Sequence, residues 1–266
     1  MITPNSDVAR NATIQADANL LASTLRRICL DTPSSPVRIL FQTNGTLSVW
    51  THDVAKTMHL YLNHSPIAGM RVKENCILLV NPLEFSDLLS TKFSGKTVRI
   101  ETSANQPIEV RSKDGSQATY FPADEDDCAM VPDRFWLEKN SEGWIMIQQQ
   151  DNEVCTTMVS TSRQSLSQGV VDMKVASAPY VVFKFSKQGS SCSSGHWGSK
   201  TNKSSSPIQA DVEGEDVEIG LTSILTTVLS TSNSDEFTLF KHKAMNWVVI
   251  ESGDIRMVVA ETTKEV

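Results

Sequence analysis

The sequence predicts an α+β protein of two similar domains, with short helices laid against antiparallel sheets. Three observations carry this. An alternating apolar strand runs straight into a short apolar-faced helix four times: residues 12–17 into 20–28, 76–80 into 83–89, 154–159 into 162–168, and 217–221 into 224–229. The helix starts, near 18, 82, 161 and 221, recur at a supersecondary spacing, so the fold is built by repetition. Hairpin signals fill the intervals, and one acidic, proline-bounded stretch near the middle separates two halves of similar size.

Each element has a local reason. A helix over 18–29 places Leu20, Leu21, Leu25 and Ile28 within one arc, with Arg26 opposite. Residues 31–36, Asp-Thr-Pro-Ser-Ser-Pro, are turn chemistry. Strands at 37–42 and 47–52 flank an Asn44-Gly45 turn, and 57–62 supplies a third strand. Pro82 suits the first turn of a helix over 82–93, where a missing N–H costs nothing. Strands at 97–101, 107–111 and 117–121 follow, the last two joined at Asp114-Gly115.

Residues 122–132, Pro-Ala-Asp-Glu-Asp-Asp-Cys-Ala-Met-Val-Pro, lack any period and read as the connector. The predicted organisation is a first domain over 1–121, a connector over 122–142 and a second domain over 143–266. In the second half the third helix is expected to stop at Gly169, with strands at 170–175 and 180–185. Residues 186–206, rich in Ser, Gly and Lys, read as a long loop or a hairpin with a loose tip. After the fourth helix, strands at 236–240, 246–251 and 255–260 close the chain, the last two across Gly253-Asp254.

Composition narrows the function. With 39% hydrophobic and 21% charged residues the chain is neither disordered nor membrane-like, and its apolar runs are far too short to span a bilayer. The N-terminus lacks the basic stretch and apolar core of a signal peptide, so an intracellular location is expected. The five cysteines are scattered without a CxxC pair, and no Cys/His cluster has metal-ligand spacing. No GxSxG elbow accompanies the five histidines, and Gly195-His-Trp-Gly has no phosphate-loop context. The acidic run at 124–127 reads as a solvated linker, not a metal site. No enzyme, catalytic residue, metal or cofactor is expected. The net charge of −7 disfavours a nucleic-acid binder only if charge is spread evenly over the surface.

Certain segments carry a family resemblance. Asn81-Pro-Leu-Glu-Phe-Ser-Asp-Leu-Leu is similar to the second helix of the DNA sliding clamps of two-domain, PCNA-like type. Gln106-Pro-Ile-Glu-Val-Arg-Ser-Lys-Asp-Gly-Ser-Gln-Ala-Thr-Tyr-Phe-Pro resembles the hairpin that leads into their connector, and Ile255-Arg-Met-Val-Val-Ala-Glu their last strand and tail. The resemblance implies a clamp fold of two β-α-β-β-β units per domain, with sheets outside and helices lining a central hole. It implies a homotrimeric ring that encircles double-stranded DNA without reading sequence, is opened by a clamp loader and tethers DNA polymerase; no membrane is involved.

By the same resemblance, Arg26, Arg27, Lys92, Lys96, Arg163 and Lys174 are the candidate DNA contacts. His52, Val54 and Met58, then Met130 and Val131, then Val258, Val259 and Ala260 are the candidate partner-peptide contacts. Two departures stand out: Glu84 and Asp87 lie on the polar side of the second helix, and the fourth helix carries no charge. Subunit contacts are expected at the strands that follow the second helix of each domain. A β-rich structural or virion protein, and a processivity subunit that is monomeric or part of a hetero-ring, remain alternatives.

Overall fold

The computed structural model describes residues 11–30, 35–103, 106–128, 138–147, 153–195 and 202–262. The chain divides into two compact units, Met1–Val131 and Pro132–Val266.

In the first unit, β1 (Asn11–Asp17) leads into α1 (Ala18–Arg26), followed by β2 (Val37–Gln42), β3 (Thr46–His52), β4 (Met58–Pro66), the two-residue β5 (Arg71–Val72) and β6 (Cys76–Val80). Then come α2 (Pro82–Lys92), β7 (Thr97–Ser103), β8 (Ile108–Ser112) and β9 (Gln117–Tyr120). One antiparallel sheet runs β5-β1-β7-β8-β9, and β4, β3, β2 and β6 neighbour one another in a second layer. Ile14, Ile100 and Val110 stand in one cross-strand row and are fully buried, as are Leu21, Leu25, Phe85 and Leu89 of the helices. Burying each such side chain contributes about 1.5–3 kcal/mol.

Both helices begin as local chemistry dictates. Asp17 accepts from the backbone N–H of Asn19 and Leu20 at 2.9 and 3.0 Å, and Asn81 does the same for Leu83 and Glu84 ahead of Pro82. The helices meet at small residues: the Ser86 hydroxyl, fully buried, donates to the Ala22 carbonyl at 3.0 Å. One expectation changes here. Leu20 is 43% exposed and lies outside the buried stripe, which is made by Ala18, Leu21, Ala22 and Leu25.

The second unit opens with β10 (Met146–Ile147) paired with β11 (Glu153–Val154). It continues through β12 (Thr157–Ser162), α3 (Arg163–Ala176), β13 (Tyr180–Phe185), β14 (Ser190–Ser194), β15 (Ser204–Ile208), β16 (Ala210–Gly214) and β17 (Val217–Thr222). After α4 (Ile224–Thr231) come β18 (Glu236–Lys241), β19 (Trp247–Ser252) and β20 (Ile255–Ala260). The sheets run β16-β12-β18-β19-β20 and β15-β14-β13-β17.

The third helix corrects the sequence reading. It does not stop at Gly169, and 170–175 is helix, not strand. A Cβ at Gly169 would lie 2.5 Å from Phe183 Cζ and 3.3 Å from Leu225 Cδ2, so this glycine lets the helix approach the sheet and is not its terminator. The helix ends instead at Ser177, whose φ of 51° is left-handed.

The Ser-rich tract is a hairpin. β14 and β15 pair over five residues each, and its tip at 196–201 lies outside the described residues. Asp172 of α3, 1% exposed, holds the hairpin: its carboxylate accepts from Ser204 Oγ at 2.8 Å, Ser206 Oγ at 3.0 Å, Gln168 Nε2 at 3.3 Å and the Cys192 thiol at 3.2 Å. Four neutral donors satisfy a buried carboxylate that an apolar pocket would not tolerate.

Candidate nucleic-acid interface

The six candidate DNA contacts have unequal freedom. Arg26 and Lys92 occupy the last turns of α1 and α2, and Lys174 that of α3, where a cation also stabilises the carbonyl end of a helix. Arg26 reaches across to α2: its Nε donates to Ser86 Oγ at 2.9 Å, and its Nη2 to Asp87 Oδ1 at 2.8 Å and Ser90 Oγ at 3.2 Å. Asp87, a departure in the sequence, is therefore the ion-pair partner of Arg26. Arg27 adjoins it and is half-buried. Lys96 sits after α2 with its ammonium 2.7 Å from Asp114 and 3.0 Å from Ser116 Oγ, on the turn between β8 and β9. Lys96 and the neighbouring Ser112 and Ser116 hold the Asp114 carboxyl well below the usual carboxylate range.

Arg163 is engaged elsewhere. Its Nη1 donates to the Leu229 carbonyl at 2.5 Å, its Nη2 to those of Ser232 and Ser234 at 2.9 and 2.8 Å, and its Nε to Asp235 at 3.1 Å. The guanidinium closes the carbonyl end of α4 and the turn into β18, and rests 5.6 Å from the centre of the Phe237 ring. It acts as a structural cap, with three of its hydrogen bonds made to carbonyls. Of the six candidates, Lys92 and Lys174 are exposed and make no ion pair among the described residues. The polar side of α4 offers Thr and Ser hydroxyls and no charge.

The partner-peptide candidates fall in two places. His52, Val54 and Met58 share the end of the β3–β4 hairpin, where Asp53 Oδ1 accepts from the Met58 N–H at 2.8 Å. Val54 is 69% exposed, His52 is half-buried with Nδ1 2.9 Å from the Asp53 carbonyl, and Met58 is core. Val258 is buried with Ile145, Cys155, Phe240 and Val249, against which Trp144 and Trp247 pack. Val259 is fully buried, and Ala260 is exposed at the strand end. Met58, Val258 and Val259 thus hold the sheets together and present no side chain to a ligand; of these two places, Val54, His52 and Ala260 are the accessible ones. Met130 and Val131 lie outside the described residues.

The outermost strands also differ from expectation. β7 and β18, which follow the second helix of each unit, are interior strands, flanked by β1 and β8 and by β12 and β19. β9 and β15 are among the edge strands. No group of three or more Cys, His, Asp and Glu side chains able to hold a metal occurs among the described residues, and no described helix is long and apolar enough to cross a membrane.

Helix pairs packed on antiparallel sheets in each unit define the class to which this fold belongs. The fold is that of the DNA sliding clamps. The chain superposes on PCNA of A. fulgidus, solved with the C-terminal region of FEN-1 bound, with a TM-score of 0.70 at 12% identity over 96% of this chain and all of that one. Proliferating cellular nuclear antigen from Entamoeba histolytica gives 0.66 at 7% identity over 96% and 100%. The DNA polymerase sliding clamp of Pseudomonas aeruginosa gives 0.66 at 14% identity, covering 98% of this chain and 69% of that chain. No family model and no curated protein matches the sequence.

Proposed function

We propose that this chain is a DNA polymerase sliding clamp, a non-enzymatic ring subunit that encircles duplex DNA and tethers polymerase and other replication proteins. The observation that carries the reading is the likeness to clamps over 96% of the chain with a TM-score up to 0.70. In this reading the outward helix faces meet phosphates through Lys92, Lys174 and Arg27, with Arg26 contributing what Asp87 leaves free. The hydroxyls of Thr226, Thr227 and Ser230 add neutral contacts, so the grip is loose, salt-sensitive and blind to sequence. Partner peptides dock beside Val54 and His52 in the first unit or near Ala260 in the second. The ring closes head to tail, the β9 edge of one subunit against the β15 edge of the next, with the 75% exposed Phe121 covered at the junction.

One observation favours a second reading. Pro207 lies in the edge strand β15 and has no N–H to donate, which weakens that edge as a template for pairing. A subunit of a hetero-ring, or a processivity factor that does not close on itself, fits this feature. Light scattering across a dilution series separates the readings. A species of three times the 29.3 kDa chain supports the homotrimer, and a monomer at every concentration removes it. Lys92→Glu with Lys174→Glu should then lower DNA retention and processive synthesis; unchanged values would refute the assignment of these helix faces to DNA.

A further inference from the structure

The register of the first unit's sheet lines up side chains from five separated segments. Arg71 pairs with Gln15, Gln15 with Arg99, Arg99 with Arg111 and Arg111 with Gln117, so one row crosses β5, β1, β7, β8 and β9. The adjacent positions Val72, Ile14, Ile100 and Val110 are buried, which puts the row on the opposite, solvent face. All three arginines are exposed. Arg99 and Arg111 are direct cross-strand partners, a like-charge placement that costs stability. Arg99 has one carboxylate, Glu101 at 2.7 Å; Arg71 and Arg111 make no ion pair among the described residues.

We propose that this row binds an extended acidic peptide of a partner protein. Strands lie about 4.8 Å apart, so Arg71 to Gln117 spans about 19 Å, the length of roughly six extended residues. Guanidinium groups grip carboxylates in a bidentate fork, and the amides of Gln15 and Gln117 serve the peptide backbone. A narrow polyanion fits and a wide one does not. The next row on the same face is Thr13, Glu101, Glu109 and Thr119, about 7 Å away along the strands, so a duplex laid across the arginines would overlie two carboxylates. The row and its neighbour hold no aromatic side chain on which the bases of a single strand could stack. The surface lies wholly in the first unit and includes no residue of a helix.

The test is fluorescence anisotropy with fluorescein-labelled hexaglutamate, against a twelve-nucleotide oligothymidylate, using the full chain in low salt. The Lys92→Gln/Lys174→Gln variant serves as background, so that the helix cations cannot supply the signal. Saturable hexaglutamate binding is expected, weakened about tenfold by Arg99→Gln with Arg111→Gln and tightened by Glu101→Gln with Glu109→Gln. Lys56→Gln, on the β3–β4 turn, should leave it unchanged. Absence of saturable binding overturns the proposal, as does indifference to the arginine pair while the melting temperature is unaltered. Oligothymidylate bound through the same arginines as tightly as hexaglutamate overturns it too, in favour of a phosphate-bearing partner.

Discussion

Replacing Arg163 by Ala separates a structural guanidinium from a DNA-binding one. The side chain is 31% exposed and donates to three carbonyls and one carboxylate. Asp235 is 91% exposed, so that ion pair adds little, and the carbonyl contacts carry the effect. Hydrogen bonds to a charged group contribute about 1.5–3 kcal/mol net, and truncation leaves the carbonyls of Leu229, Ser232 and Ser234 to whatever water can reach them. The Phe237 contact adds about 0.5–1 kcal/mol. Allowing for partial exposure, Arg163→Ala should destabilise the second unit by about 2–3 kcal/mol, or about 5–10 °C in melting temperature. Lysine should not restore it, because one ammonium cannot replace a planar fork aimed at three carbonyls. Calorimetry with a parallel DNA-retention titration is the assay. An unchanged melt together with a clear loss of DNA affinity would refute the cap and return Arg163 to the phosphate contacts.

Two further outcomes follow from buried groups. Lys241 and Glu261 form an ion pair at 3.0 Å with side chains 6% and 12% exposed, and burial raises the Glu261 pKa while Lys241 opposes the rise. Lys241→Met should cost about 3–5 kcal/mol by stranding the carboxylate, and adding Glu261→Leu should recover most of it in denaturant titrations; no recovery would show the pair is not the cause. Burial pushes the thiols of Cys76, Cys155 and Cys192 up to about 12, with Asp172 adding to the rise at Cys192. Unfolded thiols release their protons near 9, so the stability these groups lend is complete below that pH and is lost as pH rises toward 12. Native protein at pH 8 should leave all three unreactive toward a disulfide reagent; a smaller native titre in Cys76→Ala would contradict this.

Much of the fold was legible because its signals are local. Asn81 followed by Pro82 marks a helix start in one dimension, and the structure caps α2 with those residues. Asn44-Gly45 marks a turn, and Gly45 takes a φ of 80° between β2 and β3. The misreadings came where a distant partner decided the outcome. Gly169 looks like a stop until Phe183 is placed against it, and the serines around Cys192 look loose until Asp172 is found beneath them. Angle alone puts Leu20 in the apolar arc, but Ala18, Leu21, Ala22 and Leu25 are the buried residues and Leu20 is 43% exposed.

The candidate site was less legible, because a cation's role depends on which atoms its head group meets. Arg26, Lys96 and Arg163 look alike in the sequence, yet one bridges two helices, one ties down a turn and one closes a helix end. The exposed lysines of α2 and α3 make no ion pair among the described residues. This sorting changes what a weak interaction with duplex DNA would depend on. With two arginines held by the protein, each unit offers few mobile charges, and α4 offers hydroxyls alone. Such a surface should lose DNA only gradually as salt rises, with a slope near two ions per subunit if Lys92 and Lys174 are the main contacts. A slope of four or more per subunit would require Arg26 to leave Asp87, or Arg163 to abandon the end of α4, when DNA is bound.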